Sequence, residues 1–397
     1  MARRMKISSI TGFPLLLCLI VSPAAFGQTW VQLEPQGTLP PGRFNNAAVY
    51  DDNADRLIIF GGFTSATCCT ATNDVWVLTG ANGHGGPRYW ANLVPAGSPG
   101  APPPTAAASA VYDAGSNQMI VFGGQNATLG TSSGDLWILH NANGSGGPPS
   151  WSKVTVAGAG PSPRQNHQAI YDSSSNRMIV VGGLDYNGST LVLRNDVWVL
   201  TNANGTGPQA PQWTLLTPQG AAPSPRHAFA AAYDQQHNRL SIYGGCVDAV
   251  FTCDNFVASS DLWVLSNANG MGGTPAWQSF QFTLSPPAHA QYAVGAYDQN
   301  ANQLYVMGGR IGSLGAFGVF SDLTWVLNYA NGLGGTPEWT MLTPGRSPEA
   351  RGQSVPPNLF DAASGRLIVF GGPGLDDTWT LSVKGNGIYE PKARHQH

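Results

Sequence analysis

The strongest constraint on this chain of 397 residues is a unit that recurs six times around a Gly-Gly pair. The pairs begin at Gly61, Gly123, Gly182, Gly244, Gly308 and Gly371, so successive units lie 59 to 64 residues apart. Eleven residues before every pair stands an aromatic followed by aspartate: Tyr50-Asp51, Tyr112-Asp113, Tyr171-Asp172, Tyr233-Asp234, Tyr297-Asp298 and Phe360-Asp361. Five residues before it stands Arg or Gln (Arg56, Gln118, Arg177, Arg239, Gln303, Arg366). A tryptophan follows each pair (Trp76, Trp137, Trp198, Trp263, Trp325, Trp379) and another precedes each unit (Trp30, Trp90, Trp151, Trp213, Trp277, Trp339). All 12 tryptophans are thereby placed, two per unit. Chance does not produce this.

Each unit reads as four short strands, a to d, exemplified by Asn45 to Tyr50, Leu57 to Phe60, Val75 to Leu78 and Trp90 to Val94. The segments are apolar on both faces, which suits a small sheet sandwiched between two like sheets. Such a sheet cannot stand alone, so a fixed repeat implies stacking, and six twisted sheets close into a ring. Composition agrees: 50 Gly, 30 Pro and 10% charged residues, with no sustained period of 3.6, argue for an all-β, turn-rich chain. The chain opens with a d-type strand (Trp30 to Leu33) and ends with a c-type strand (Thr378 to Val383). The first is therefore expected to complete the last sheet, which removes a loose edge.

An apolar run, Gly-Gly, Asp-Val-Trp, a second Trp and Pro-x-Arg together resemble the kelch repeat, from Trp30 to about Leu381. The resemblance implies a β-propeller like those of secreted bacterial kelch proteins and the central domain of galactose oxidase, and the six repeats make it six-bladed here. One departure is a longer c–d connection carrying Ala-Asn-Gly-x-Gly-Gly (Ala81 to Gly86, Ala142 to Gly147, Ala268 to Gly273, Ala330 to Gly335).

Loop lengths predict which face is free to work. Aromatic-Asp to Gly-Gly is invariant, whereas Gly-Gly to the c-strand tryptophan takes 15, 14, 16, 19, 17 and 8 residues. The b–c loops therefore vary most, and they share a face with the d–a segments; variable loops on a rigid scaffold are the usual layout of a binding surface. The kelch resemblance implies the same face. Twelve of the 22 acids recur in every unit and read as turn and hydrogen-bond fixtures, including Asp74, Asp135, Asp196, Asp261, Asp322 and Asp377 before the c-strand tryptophans. Of the remainder, Asp185, Asp248 and Asp254 fall in b–c loops of blades three and four. Arg43, Arg164 and Arg226 stand seven residues before their tyrosines, where blades two and five carry Thr105 and Ala290 and blade six a shifted Arg351. With His167, His227 and Tyr186, blades three and four form the chemically richest sector. The candidate ligand contacts are Arg43, Arg164, His167, Asp185, Tyr186, Arg226, His227 and Asp248; the competing reading makes the arginines strand-end fixtures.

No metal and no cofactor is read. His167, His227 and His289 sit four, six and eight residues before their tyrosines, so the outer two differ in height by about 13 Å along regular strands. The copper site of galactose oxidase, with two Tyr, two His and a Cys crosslink, finds no matching residues. Kelch enzymes that epimerise sialic acid need an acid or base and a cation for the sugar carboxylate, for which Asp185, Asp248, Arg164 and Arg226 are the candidates. Three functions stay open: a module binding carbohydrate or protein, a carbohydrate-active enzyme over blades three and four, or a spacer. A net charge of −3 offers no basic footprint for nucleic acid.

Residues 1–27 read as an export signal, with Arg3, Arg4 and Lys6 before the apolar run Phe13 to Val21 and a small-x-small cleavage pattern at Ala25-Phe26-Gly27. The protein is thus expected to be secreted or periplasmic, without membrane insertion, with a propeller over 28–383 and a mobile tail over 384–397. In that compartment disulfides persist; Cys246 and Cys253 share one loop and are read as a pair. Cys68 and Cys69 are left as a strained ring between neighbours or as two free thiols. Four Asn-x-Ser/Thr sites, at Asn126, Asn143, Asn187 and Asn204, matter only in a glycosylating host.

Overall fold

Each repeat becomes a four-stranded antiparallel sheet in the computed structural model, which describes residues 28–64, 70–248, 258–282, 287, 291–312, 319–352 and 359–383. Blade one pairs Ala47–Asp51, Arg56–Phe60, Val75–Thr79 and Tyr89–Val94 in that order, as strands a to d. Six such sheets are present among the described residues. The sixth takes its outer strand from the other end of the chain: Thr29–Leu33 runs antiparallel to Leu375–Ser382, with Trp30 opposite Leu381. The N-terminal strand thus closes the ring as expected. Two smaller sheets lie in the b–c region of blades two and five.

The core sits in the seams between blades. Ile58, Phe60 and Val77 of blade one pack on Ala110, Met119 and Val121 of blade two, and each further seam repeats the pattern. Where the ring closes, Trp30, Leu381, Phe370 and Trp90 belong to one cluster. Alternate residues of one strand face opposite neighbours, which is why the sequence reads apolar on both faces.

The Gly-Gly pair is the joint between blades. The second glycine donates its N–H to the d–a carbonyl of the next blade: Gly62 to Thr105, Gly124 to Arg164, Gly183 to Arg226, Gly309 to Arg351 and, around the closure, Gly372 to Arg43. The first glycine lies so close that a Cβ on Gly308 would stand 2.3 Å from the Arg351 carbonyl oxygen, at a φ of +72°. A side chain there meets both a steric wall and a disfavoured backbone region.

A second series of backbone bonds links blades one to five along their inner strands. Ala107 donates to Asn45, Asn166 to Ala107, Ala228 to Asn166 and Tyr292 to Ala228, each from a residue in the left-handed region. Blade three departs from the others: its strand b, Arg177–Tyr186, runs through a bulge at the glycines and pairs with Leu191–Thr201 as a long hairpin.

Candidate functional site

The face carrying the b–c and d–a connections is built on a repeated arginine fixture. Pro-x-Arg leads the chain inward, and Arg43, fully buried, donates to the carbonyls of Pro41 and Gly61 and to both carboxylate oxygens of Asp74. The Nε1 of Trp76 donates to the same carboxylate at 2.7 Å. Arg164 with Asp196 and Trp198, and Arg226 with Asp261 and Trp263, repeat this geometry. So does Arg351 with Asp377 and Trp379, although two extra residues separate it from its aromatic. Charge-assisted, bidentate pairs of this kind fix orientation as well as contributing energy. Burial alone would raise the pKa of these four aspartates, but the arginine hydrogen bonds and charge prevail and hold each below its ordinary value, Asp261 down to about 2.

Blades two and five break the pattern differently. In blade two Thr105 replaces the arginine, and Asp135 pairs instead with Lys153 at 2.8 Å, near the surface. In blade five the residue whose carbonyl receives the glycine N–H is Leu323, the counterpart of Asp74, so Asp322 lies one place out of register. The equivalence of Asp322 with the other five, expected from the sequence, is corrected by that one-residue shift.

The other candidates divide by depth. His167 is fully buried, with Nε2 2.5 Å from Ser109 Oγ across the seam to blade two; burial first, then the Arg164 charge, push its pKa well below the ordinary value, so it is neutral. His227 is buried, and its backbone pairs with that of Cys246 in both directions; its ring meets Tyr292 edge-on at 6.0 Å. Asp185 and Tyr186 lie on the blade-three hairpin, half-buried, with Asp185 bridged to Arg194 at 2.8 Å. That hairpin is tied to blade two, since Ser132 Oγ donates to the Leu184 carbonyl and accepts from the Tyr186 N–H. Asp248 is half-buried at a bend after Cys246. Cys253, Asp254, Cys68, Cys69 and His289 lie outside the described residues. The structure therefore gathers the arginines and histidines beneath the face and leaves Asp185, Tyr186 and Asp248 nearer its surface.

The opposite face, formed by a–b and c–d turns, holds what the sequence reading missed. The c–d asparagine of each of blades two to five reaches back to the preceding blade's aromatic-Asp carboxylate: Asn143 to Asp51 at 2.7 Å, Asn204 to Asp113 at 2.7 Å, Asn269 to Asp172 at 2.6 Å and Asn331 to Asp234 at 2.5 Å. Asn82 to Asp361, at 2.8 Å, carries the same bond across the closure. The arginine that opens strand b adds a second tie, as Arg177 donates to the Asn269 carbonyl and Arg366 to that of Asn82. The extra Ala-Asn-Gly stretch is thus an inter-blade staple. It also engages the side-chain amides of Asn143 and Asn204, two of the four glycosylation-type asparagines. Burial would raise the pKa of Asp172, but the hydroxyls of Ser174 and Ser175 and the Asn269 amide outweigh it and lower it.

Inside this face, around the axis, lies a cavity of ≈ 330 Å³ lined by Tyr50, Tyr112, Tyr171, Tyr233, Tyr297 and Phe360, one from each blade. Among the described residues no group of three or more His, Cys, Asp or Glu could hold a metal ion, and no helix is long and apolar enough to cross a membrane.

Comparison with known proteins agrees with this architecture. Residues 24–200 match the model of the KLHDC2/KLHL20/DRC7 Kelch-repeats domain. The chain is 31% identical over 120 residues to dynein regulatory complex subunit 7 of Chlamydomonas reinhardtii, covering 30% of this chain and 9% of that protein. It is 25% identical over 252 residues to tip elongation aberrant protein 1 of Schizosaccharomyces pombe, covering 62% and 19%. To the flagellar outer arm dynein alpha chain of C. reinhardtii it is 29% identical over 228 residues, covering 54% and 4%. The chain thus spans less than a fifth of each of these relatives. The solved structure titled "Structure of YjhT" superposes with a TM-score of 0.60 at 14% identity, over 91% of this chain and 98% of that one, a likeness of fold.

Proposed function

Because this chain is built of kelch repeats and folds as a kelch-type β-propeller, we propose that it is a binding module whose partner, a protein, docks on the b–c/d–a face. The observation that carries this reading is the contrast in the repeat itself. Gly-Gly to tryptophan spans 8 to 19 residues on this face, while aromatic-Asp to Gly-Gly never changes on the other. Asp185, Tyr186 and Asp248 are the proposed contacts. Arg43, Arg164 and Arg226, with His167 and His227, act from below by holding the d–a segments in place. Leu129, 70% exposed in the blade-two loop, and Val192 on the adjoining hairpin supply apolar surface beside them.

An enzymatic reading fits less well. A sugar carboxylate seeking Arg164 or Arg226 would have to displace Asp196 at 2.7 Å or Asp261 at 2.5 Å. On the reading of residues 1–27 as an export signal, we place the protein outside the cytoplasm, with Cys246 bonded to Cys253.

Photo-crosslinkers at Leu129 and Val192, set against crosslinkers at Met271 and Leu333 on the opposite face, test the docking face in the host's secreted fraction. The account expects a discrete protein adduct from the first pair alone, lost in an Asp185→Ala/Tyr186→Ala variant of unchanged melting temperature. Equal adducts from both faces contradict it. Binding confined to a glycan array would make the partner a carbohydrate instead. Mass spectrometry of the intact mature protein reads both the cleavage site and the disulfide.

A further inference from the structure

The axial cavity lies on the face opposite the proposed docking surface and has no part in that reading. From its lining and the charges around it, we propose that it is a binding site for a small organic cation, of the size and kind of a methylated ammonium.

The wall is aromatic and aliphatic, with Val49, Val111 and Ile170 beside the six axial aromatics, and the mouth is set by Asp52, Ser173 and Gln299. A concave site of this make-up, with a few polar groups at its rim, is the ordinary form of a small-molecule pocket. No arginine, lysine or histidine lines it, and Asp52 is its one ionised side chain. The tyrosine hydroxyls direct their protons away from a guest. Tyr50 donates to Asp55, Tyr112 to Asp51 or Asn117, Tyr171 to Asn176, Tyr233 to Asn238 and Tyr297 to Asn302. What the tyrosines can offer inward is therefore oxygen lone pairs and ring surface, and neither suits an anion.

The charge behind the wall has the same sign. Each axial aromatic is followed by a buried aspartate, so six carboxylates encircle the axis just outside the cavity. They are not the site, since all six are bonded to turn amides and five of them, all but Asp298, to the stapling asparagines. The opposing arginines, Arg56, Arg177, Arg239 and Arg366, open strand b, one strand farther from the axis than the aspartates they pair with in register. A low-dielectric cleft ringed by one sign of charge concentrates ions of the other. A bare metal ion would find no cluster of ligands, whereas an ammonium carrying its own apolar shell matches both the wall and the field.

The test uses choline and its neutral isostere, in which a tert-butyl group replaces the trimethylammonium, titrated into the full chain at constant ionic strength and followed by calorimetry. Choline is expected to saturate with a dissociation constant at least about tenfold below that of the isostere, a factor worth about 1.4 kcal/mol. Asp52→Asn, a change at an exposed rim position, should narrow that ratio. Ser173→Trp, which fills the mouth from an exposed position, should abolish both signals at an unchanged melting temperature. Equal affinity for choline and isostere, choline binding that survives Ser173→Trp, or no saturable binding of either overturns the proposal.

Discussion

The two faces of the disc are fastened by different means. On the a–b/c–d face every described joint is the same: an asparagine crosses to the preceding blade's aspartate, and four times an arginine supports it. On the b–c/d–a face the fastening lies deeper, in the glycine N–H bonds and in buried Arg–Asp–Trp units present in blades one, three, four and six but not in two and five. The loops above those units carry fewer of the joints between blades, the Ser132 bonds to the blade-three hairpin being the exception. The difference teaches that a propeller can free one face to vary because blade-to-blade coupling sits beneath that face and across the other.

Acid should strain both faces at once and gives the largest expected effect. Asp74, Asp196, Asp261 and Asp377 above, and Asp172 and Asp361 below, all have folded pKa values lowered from the ordinary 3.8. A depressed carboxylate contributes stability that is complete above its unfolded pKa and is lost as pH falls through the folded one. Melting temperature should therefore begin to slip below about pH 6.5, where only the unfolded chain protonates the buried His167, and drop more steeply from about pH 4 towards pH 2 as the carboxylates follow. A profile that stays level to pH 2 would show that these carboxylates contribute nothing to folding.

Removing one buried guanidinium comes next. Arg43→Ala strands Asp74, whose side chain is only 8% exposed, and should cost about 3–5 kcal/mol in denaturant unfolding. Replacing both partners by alanine should recover part of that loss. Similar costs for the single and double changes would mean that the charge left behind is not the cause. On the other face, Asn331→Ala leaves the buried Asp234 short of a donor and is expected to cost about 1–3 kcal/mol. Asp185→Ala opens only the half-exposed pair with Arg194 and should stay below about 1 kcal/mol. If Asp185→Ala proved the costlier of these two, the division between the faces would be reversed.

Most of the architecture was legible because it rests on spacing. Strand order, the blade count and the closure by Trp30 follow from counting residues between glycines, aromatics and tryptophans, and burial on both faces of each strand follows from their apolar runs. The site was less legible because side-chain partners depend on register to a single residue. Arg351 looked displaced, yet it closes on Asp377 as the others do, since two extra residues between it and Phe360 restore the position. Asp322 looked equivalent and is not, since Leu323 occupies its place. The arginines looked like ligand contacts because the sequence gives no sign that they face inward onto aspartates 26 to 35 residues downstream. Asn143 and Asn269, inside a stretch that looked like loop padding, bond to carboxylates 92 and 97 residues away. Only the folded ring brings these together.

The most direct test of this division places the same short Gly-Ser insertion at two points of blade three. One goes into the b–c hairpin tip between Asn187 and Gly188, the other into the c–d connection between Gly205 and Thr206. Lengthening a loop costs only about 0.6 kcal/mol per doubling, so the hairpin insertion should leave unfolding free energy within about 1 kcal/mol of the parent. The second insertion pulls Asn204 from Asp113 and Asn176 and should cost about 2 kcal/mol or more. Equal losses at the two points would contradict the account.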